Sequence, residues 1–223
     1  MSSLLITGTN TDVGKTILSA SLISYWQKYK HNQKLGIMKL LQTGVGDYEF
    51  LSSLFEYDIV VPLRFKAPLA PPIAAQLEGE TIDLKKVWQE LVTLQQEKDF
   101  VLIEALGGLG SPVTNELTVA DIAGEWRLDS VLVVDVRLGA IAQVVANVAL
   151  ARQCKVKLKG IILNCVEPIP PEKIEQLTPI SLIEKFTHIP ILGVIPYLKD
   201  CKNLDQLAQV ASNLDVDKLI VDN

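Results

Sequence analysis

Short apolar runs alternate with segments of helical periodicity along almost the whole chain. The runs are mostly uninterrupted aliphatic or β-branched stretches, as parallel strands covered on both faces are. Strands are therefore predicted at residues 4–7, 35–39, 100–104, 130–136, 159–164 and 191–195. The segments between them predict helices at residues 15–30, 47–55, 83–97, 119–126, 140–153, 180–186 and 204–213.

The alternation of strands and helices predicts an α/β fold: a single-domain, doubly wound, mostly parallel sheet with helices on both faces. No repeat, low-complexity tract or flexible linker interrupts residues 1–223, so one domain is expected. The prolines from Pro62 to Pro72 indicate an ordered surface connection, and Pro170-Pro171 predicts the start of a short helix. Ligands of such sheets bind outside the carboxyl ends of the strands.

Composition narrows the classes of ligand. Hydrophobic residues make up 48% of the 223 residues and charged residues 21%, enough apolar material for a core on both faces of a sheet. The net charge of −5 argues against a nucleic acid as partner, because proteins that bind nucleic acid usually carry a basic face. The three cysteines form no CxxC pair and there are only two histidines, which disfavours a zinc site, a disulfide framework and histidine-based hydrolysis.

The sequence contains no recognisable secretory or membrane-spanning segment. Its first residues enter strand-like sequence without a basic segment before a long apolar stretch. No run reaches the roughly 18 apolar residues that a membrane span needs. Together with the unpaired cysteines, these features predict a cytoplasmic protein without membrane contact.

The strongest chemical signal follows the first predicted strand. The sequence Gly-Thr-Asn-Thr-Asp-Val-Gly-Lys-Thr runs from Gly8 to Thr16 and opens the first long helix. Such a glycine-rich turn presents backbone N–H groups to phosphate oxygens at a helix N-terminus. Lys15 would reach the β- and γ-phosphates of a nucleotide, and the Thr16 hydroxyl would contact Mg²⁺. Five residues, rather than the usual four, separate Gly8 from Gly14, and the alternative is a strand-to-helix turn with an incidental Gly-Lys-Thr.

Two further strands end on a carboxylate. Glu104 closes one apolar run and Asp135 closes another, and either could bind Mg²⁺ directly or through water. The alternative for each is a strand-end acid that caps the next loop. Gly107 and Gly108 favour Glu104, because glycines let the backbone approach a ligand closely.

The end of the second predicted strand carries a third group of polar residues. Lys39 would stand beside the phosphate loop, although a lysine that ends an apolar strand can also extend its side chain to solvent. Thr43 follows, and Asp47 opens a predicted helix, where its alternative role is that of N-cap.

With these residues assembled, the chain resembles the dethiobiotin synthetase family. Residues 8–16 reproduce that family's Gly-Thr-(Asn/Asp)-Thr-(Asp/Glu)-Val-Gly-Lys-Thr loop with the same long spacing. Residues 39–44 correspond to Lys-Pro-x-x-(Ser/Thr)-Gly, and residues 104–108 correspond to Glu-Gly-Ala-Gly-Gly. Weaker similarity at residues 137–139, 163–164 and 195–198 extends the match over nearly the whole chain.

The resemblance implies a reaction in which 7,8-diaminononanoate, CO₂ and ATP give dethiobiotin, ADP and phosphate. ATP is then a co-substrate and Mg²⁺ the cofactor. One amine captures CO₂ as a carbamate, the carbamate oxygen attacks the γ-phosphate, and the second amine closes the cyclic urea. By the same resemblance, Lys15 and Lys39 are the expected catalytic residues, and Thr16, Asp47 and Glu104 are the expected metal ligands.

The resemblance also implies which residues contact the two substrates. Those expected for ATP are Asp12, Val13, Gly14, Lys15, Thr16, Ile17, Glu104, Ala105, Leu106, Gly107, Asn164, Cys165, Pro196, Tyr197 and Leu198. Within that set Asn164 would read adenine, and residues 196–198 would border the base. Those expected for diaminononanoate are Thr11, Thr43, Gly139, Ala140 and Ile141.

The resemblance further implies a two-fold homodimer, through the last three of these residues. Members of the family seat the substrate carboxylate on a helix N-terminus of the other subunit, which residues 139–143 would supply here. This segment contains no lysine or arginine, so its backbone N–H groups and the helix dipole would have to bind the anion. The alternative is a loop glycine followed by a helix that packs only on the sheet.

Three positions depart from the pattern of the family. Leu40 replaces proline and leaves the backbone after Lys39 less constrained. Ala105 replaces glycine and adds a Cβ where the chain runs close to phosphate. Cys165 replaces an acidic residue that often follows the asparagine, so selectivity for the base could be relaxed.

Two other classes of protein carry similar loops. Amidating synthetases of the cobyrinate a,c-diamide type add a glutaminase domain, for which the 25 residues after Leu198 are too few. ParA/MinD-like switches carry an extra lysine near the start of the loop, and residues 7–12 contain none. The expected function is therefore that of the synthetase.

Overall fold

The computed structural model describes residues 2–220 and contains nine strands and ten helices within them. The strands are β1 (Ser2–Gly8), β2 (Leu35–Lys39), β3 (Gln42–Thr43), β4 (Ile59–Val60), β5 (Arg64–Phe65), β6 (Phe100–Glu104), β7 (Asp129–Asp135), β8 (Lys157–Asn164) and β9 (Ile191–Ile195). The helices are α1 (Lys15–Tyr29), α2 (Asp47–Leu54), α3 (Pro71–Glu78), α4 (Leu84–Glu97), α5 (Val119–Glu125), α6 (Ala140–Gln153), α7 (Pro171–Leu177), α8 (Ile180–Thr187), α9 (Leu204–Ser212) and α10 (Val216–Ile220).

Seven strands form one parallel sheet in the order β4-β2-β6-β1-β7-β8-β9. Alternate residues of β1 face opposite sides: Leu4 and Ile6 belong to one apolar cluster and Leu5 to the other. Side chains of α1, α2, α9 and α10 complete the first cluster, and those of α4, α5, α6 and α8 complete the second. The predicted doubly wound sheet with helices on both faces is confirmed.

The predicted elements exist, and each of their ends either coincides with the prediction or differs from it by one or two residues. Asp83 was predicted as the first residue of α4 and is instead its N-cap, where its side chain accepts hydrogen bonds from the backbone N–H groups of Lys85 and Lys86. Helix α7 begins at Pro171, as the proline pair predicted, because the missing N–H of proline costs nothing in the first turn.

The sequence patterns missed the shortest elements. The stretch from Pro62 to Pro72, expected as a surface connection, contains β5 and the start of α3. Strand β5 pairs with β3 in a separate two-stranded sheet, and β4 adds an edge to the main sheet. Helix α10 was also missed. Strands of two residues and the five-residue helix α10 are too short to display a period.

The sheet order determines where the chemistry-bearing residues lie. Strands β2, β6 and β1 are adjacent, and the register pairs Lys39 with Glu104 and Ile6 with Glu104. Their carboxyl ends, and the loop after Gly8, therefore lie at one edge of the sheet.

No helix within residues 2–220 has the length and apolar character required to cross a membrane.

Candidate active site

A cleft of about 670 Å³ opens at the carboxyl ends of the strands. The predicted site residues that line it are Thr11, Asp12, Gly14, Lys15, Thr16, Ile17, Lys39, Thr43, Asp47, Leu106, Gly107, Asn164, Cys165, Pro196, Tyr197 and Leu198. Three others, Val13, Glu104 and Ala105, are buried beneath it. The remaining three, Gly139, Ala140 and Ile141, do not line this cleft. The cleft wall also contains Gln42, Val45 and Cys201, which the sequence patterns did not single out.

The phosphate loop, residues 8–16, takes a backbone path that requires glycine at position 14. Gly14 has φ = 92°, in the left-handed region that favours glycine, and it immediately precedes α1. A Cβ on Gly14 would lie 2.0 Å from Nδ2 of Asn164. The same Nδ2 donates a hydrogen bond to the carbonyl oxygen of Val13 at 2.9 Å. The end of β8 thus holds the loop against the N-terminus of α1, where unpaired backbone N–H groups favour an anion.

Lys15 lies over this loop. Its Nζ donates to the carbonyl oxygen of Asn10 at 3.1 Å, and the residue is buried. Burial lowers the pKa of Lys15, and the nearby carboxylate of Glu104 offsets only part of that effect. A buried ammonium with one backbone acceptor is well placed to exchange that contact for phosphate oxygens.

Thr16, Asp47 and Glu104 converge although they come from three separate segments. The Thr16 hydroxyl oxygen lies 2.8 Å from Oδ1 of Asp47 and 2.9 Å from Oε1 of Glu104. Asp47 is the first residue of α2 and the N-cap is Gly46, so its alternative role as N-cap was wrong. The carboxylate and hydroxyl oxygens of all three residues are directed to one point beside the phosphate loop.

Lys39 lies between the carboxylates of Asp47 and Glu104 and contacts both. Its Nζ forms ion pairs with Asp47 and, at 3.2 Å, with Oε1 of Glu104, and only 3% of its side chain is exposed. The alternative in which Lys39 extends to solvent is therefore wrong. Burial alone would lower the pKa of Lys39, but the two carboxylates outweigh it and raise that pKa. Burial would likewise raise the pKa of Asp47, but Lys39 and the Thr16 hydrogen bond keep it low.

Gln42 fixes the start of α2 and thereby the position of Asp47. Its buried side chain accepts a hydrogen bond from the backbone N–H of Tyr48 at 3.0 Å and donates one to Glu49 at 2.9 Å. Glu49 in turn accepts from the backbone N–H of Gly46 at 2.8 Å. A glutamine in a two-residue strand gives no sequence signal for this role, since its partners become neighbours only when α2 has formed.

Asp135, the alternative strand-end carboxylate, is placed differently. It does not line the cleft, and its Oδ2 lies 3.4 Å from Nε of Arg137. Burial raises its pKa, which Arg137 only partly offsets. Glu104, and not Asp135, contacts the Thr16 hydroxyl.

We expect Lys39→Met to lower the free energy of unfolding by about 3 kcal/mol, because removing one partner leaves buried carboxylate charge without compensation. Urea denaturation would measure the change. The matched control is Lys28→Met, which removes a solvent-screened, exposed pair with Asp205 and should change the free energy of unfolding little. Equal losses in the two variants would contradict a stabilising role for the buried ammonium.

Comparison with known proteins identifies the fold of the chain. The chain matches the family described as an AAA domain over residues 2–205. Among solved structures, the MinC:MinD cell division protein complex of Aquifex aeolicus has a TM-score of 0.60 at 18% identity, over 98% of this chain and 94% of that one. The ParA family ATPase of Chlorobium tepidum TLS has a TM-score of 0.60 at 14% identity, over 99% and 98%. At these identities the likeness shows the fold alone.

The fold, the phosphate loop and the lysine–carboxylate cluster define a nucleotide-binding protein of the P-loop class. The chain is 62% identical to the ATP-dependent dethiobiotin synthetase BioD of Gloeothece citriformis (strain PCC 7424), over 99% of both chains. It is 52% identical to the protein of that name from Synechocystis sp. (strain ATCC 27184 / PCC 6803 / Kazusa), over 97% of this chain and 94% of the relative. The chain belongs to the dethiobiotin synthetase family.

Proposed function

We propose that this chain is an ATP-dependent cyclo-ligase of biotin biosynthesis, which forms dethiobiotin from 7,8-diaminononanoate, CO₂ and ATP and releases ADP and phosphate. One structural observation supports this activity for the residues of this chain. Lys15 enters the cleft from the start of α1 and Lys39 from the end of β2, together with the hydroxyl of Thr16 and the carboxylates of Asp47 and Glu104. Phosphoryl transfer depends chiefly on such positioned charge.

The reaction divides into three steps. One amine of the substrate adds to CO₂ and loses a proton, which gives a carbamate. A carbamate oxygen then attacks the γ-phosphorus, and the bond to the ADP oxygen breaks. Finally the second amine attacks the carbamoyl carbon and loses a proton, the bond from that carbon to the phosphate oxygen breaks, and the cyclic urea forms as phosphate leaves. Lys15 and Lys39 would stabilise the negative charge that builds on the phosphoryl oxygens in the second and third steps.

The cleft offers separate regions for the two ends of ATP. The loop before α1 would bind the phosphates. Asn164, Cys165 and residues 196–198 would surround the base. Because Nδ2 of Asn164 already donates to the carbonyl oxygen of Val13, its Oδ1 is the atom left to accept a hydrogen bond from the amino group of adenine. Cys165 brings no charge to this region, which is consistent with recognition through the amide.

The donor set at Thr16 fits Mg²⁺. One hydroxyl and two carboxylates supply hard oxygen ligands, and Mg²⁺ typically takes few protein oxygens and completes its shell with water and substrate phosphates. The two carboxylates already pair with one cationic group, the Lys39 ammonium, which supports a role for them in binding positive charge. We infer that Thr16, Asp47 and Glu104 would hold the ion. When bound, it would neutralise charge on the β- and γ-phosphates.

We further infer a two-fold homodimer in which each cleft is completed by α6 of the partner. Gly139, the N-cap of α6, has φ = 91°, and its segment lies outside the cleft of its own chain. Val144 and Val148 of α6 are buried against the sheet, whereas Val145 is 38% exposed and Leu138, just before the helix, is 90% exposed. These exposed apolar side chains favour a second surface that covers them. The helix N-terminus would then meet the substrate carboxylate.

The thiols are consistent with a reducing compartment. Cys154, Cys165 and Cys201 are all free in the structure. We infer a cytoplasmic location from them, as is typical of proteins that keep unpaired thiols.

The proposed function is tested by ADP release from the purified protein. We expect release to require 7,8-diaminononanoate and bicarbonate together, and mass spectrometry to show one dethiobiotin for each ADP. ATP hydrolysis that ignores diaminononanoate would contradict a synthetase and favour a nucleotide switch. A requirement for glutamine would favour an amidating enzyme.

A further inference from the structure

Ser19 lies directly below the proposed metal ligands. It follows Lys15 by four residues and Thr16 by three on α1, so the three residues share one face of the helix. Ser19 is 1% exposed and Glu104 is 2% exposed. Ser19 lies too deep to line the cleft.

The two oxygens of the Glu104 carboxylate face different partners. Oε1 contacts the Thr16 hydroxyl at 2.9 Å and the Lys39 ammonium at 3.2 Å. Oε2 accepts a hydrogen bond from the hydroxyl of Ser19. Ser19 therefore holds one oxygen beneath α1 while the other is directed toward the cleft.

The single hydroxyl hydrogen of Ser19 has two acceptors within reach. One is the backbone carbonyl oxygen of Lys15 at 3.1 Å, and the other, which is closer, is the carboxylate of Glu104. Hydrogen bonds to an ionised acceptor are about twice as strong as those between neutral groups. The proton therefore lies on the side of the carboxylate and restrains its rotation about the Cγ–Cδ bond.

We propose that Ser19 is a positioning residue for the reaction: by binding Oε2 of Glu104, it orients Oε1 toward Thr16 and the divalent cation. This inference rests on the proposed role of Glu104 as a metal ligand. Groups that orient a metal ligand from behind change metal affinity or activity by about 10- to 100-fold when they are removed. Without the hydroxyl, the carboxylate could rotate, and both of its oxygens could turn to the Lys39 ammonium.

Helix α1 supplies a matched control. Ser21 is 0% exposed, and within residues 2–220 its hydroxyl has no hydrogen-bond partner. Ser21→Ala therefore makes the same chemical change, at the same depth, in the same helix, without touching Glu104. Ser19→Thr is the conservative variant, because it keeps the hydroxyl.

The test measures binding of Mn²⁺, a paramagnetic substitute for Mg²⁺, by electron paramagnetic resonance in the presence of a non-hydrolysable ATP analogue. We expect Ser19→Ala to raise the dissociation constant of Mn²⁺ about tenfold. Ser21→Ala should leave it unchanged, and Ser19→Thr should restore most of the affinity. Binding of the nucleotide analogue with the metal chelated should be the same in all four proteins. Thermal melting would show that each variant is folded at the temperature of the measurement.

Two outcomes would overturn the proposal, and they can be told apart. If wild-type protein binds no Mn²⁺ with the analogue, the metal role of Glu104 and the role of Ser19 fail together. If wild-type protein binds Mn²⁺ and Ser19→Ala binds it equally well, only the role of Ser19 fails. In that second case, a lower melting temperature of Ser19→Ala would show that its role is structural alone.

Discussion

Replacing Lys15 by alanine should lower kcat/KM about 1000-fold or more while the protein remains folded. The ammonium lies over the phosphate loop, with the carbonyl oxygen of Asn10 as its neutral partner. Such a group can bind the phosphoryl oxygens more strongly as their charge rises in the transition state, and losing it removes stabilisation that water cannot supply inside the cleft. The protein should still fold. Burial lowers the pKa of Lys15, which means that the charged ammonium is less favourable in the folded protein than in water and does not stabilise the fold.

The measurement is steady-state ADP release, with thermal melting to establish folding. Lys28→Ala is the control on the same helix: Lys28 forms an exposed pair with Asp205 at the far end of α1. It should retain the wild-type rate. Near-normal turnover in a folded Lys15→Ala protein would remove the phosphate loop from the mechanism.

Mixing two inactive variants should restore about one quarter of the wild-type activity if each cleft is shared between subunits. The first variant is Lys15→Ala. The second is Ala142→Glu, which places a negative charge in the exposed first turn of α6 and should repel the substrate carboxylate. A carboxylate at a helix N-terminus does not disturb the helix itself. In a mixed dimer one cleft carries both lesions and the other carries neither.

Random exchange of subunits sets the fraction of activity that returns. Equal amounts of two freely exchanging subunits give about half mixed dimers, each with one intact cleft of two, hence about one quarter of the activity. Activity is measured with diaminononanoate well below its KM, before and after exchange. Subunits labelled with different fluorophores would report exchange by energy transfer. Exchange without recovery would show that α6 of the partner does not bind the substrate tail, and sedimentation as a fully active monomer would exclude the shared cleft.

The central strands and the phosphate loop could be predicted because their signals are local. The five residues of β2 and of β6 are uninterrupted apolar runs that end in Lys39 and Glu104, and both strands have the predicted bounds. The residues from Gly8 to Thr16 combine a strand end, glycines and a helix start in consecutive positions. Burial of a parallel strand requires apolar residues along its whole length, so the sequence records it directly.

The arrangement around the carboxylates was decided by tertiary structure. Lys39 is buried between Asp47 and Glu104 because β2 and β6 are neighbours in the sheet, and no local pattern specifies strand order. For the same reason the contact between Asn164 and Val13, 151 residues apart, has no sequence signal. The hydroxyl of Ser19 reaches Glu104 across 85 residues in the same way.

The sequence by itself determined the fold class, the phosphate loop and the residue types available for catalysis. Periodicity and glycine placement encode elements longer than a turn, since each depends on the residue's own position in a strand or helix. It did not determine the two-residue strands β3, β4 and β5, nor that Gln42 holds the start of α2. Those features depend on hydrogen bonds and packing between segments distant in sequence, and they form only when the sheet has brought the segments together.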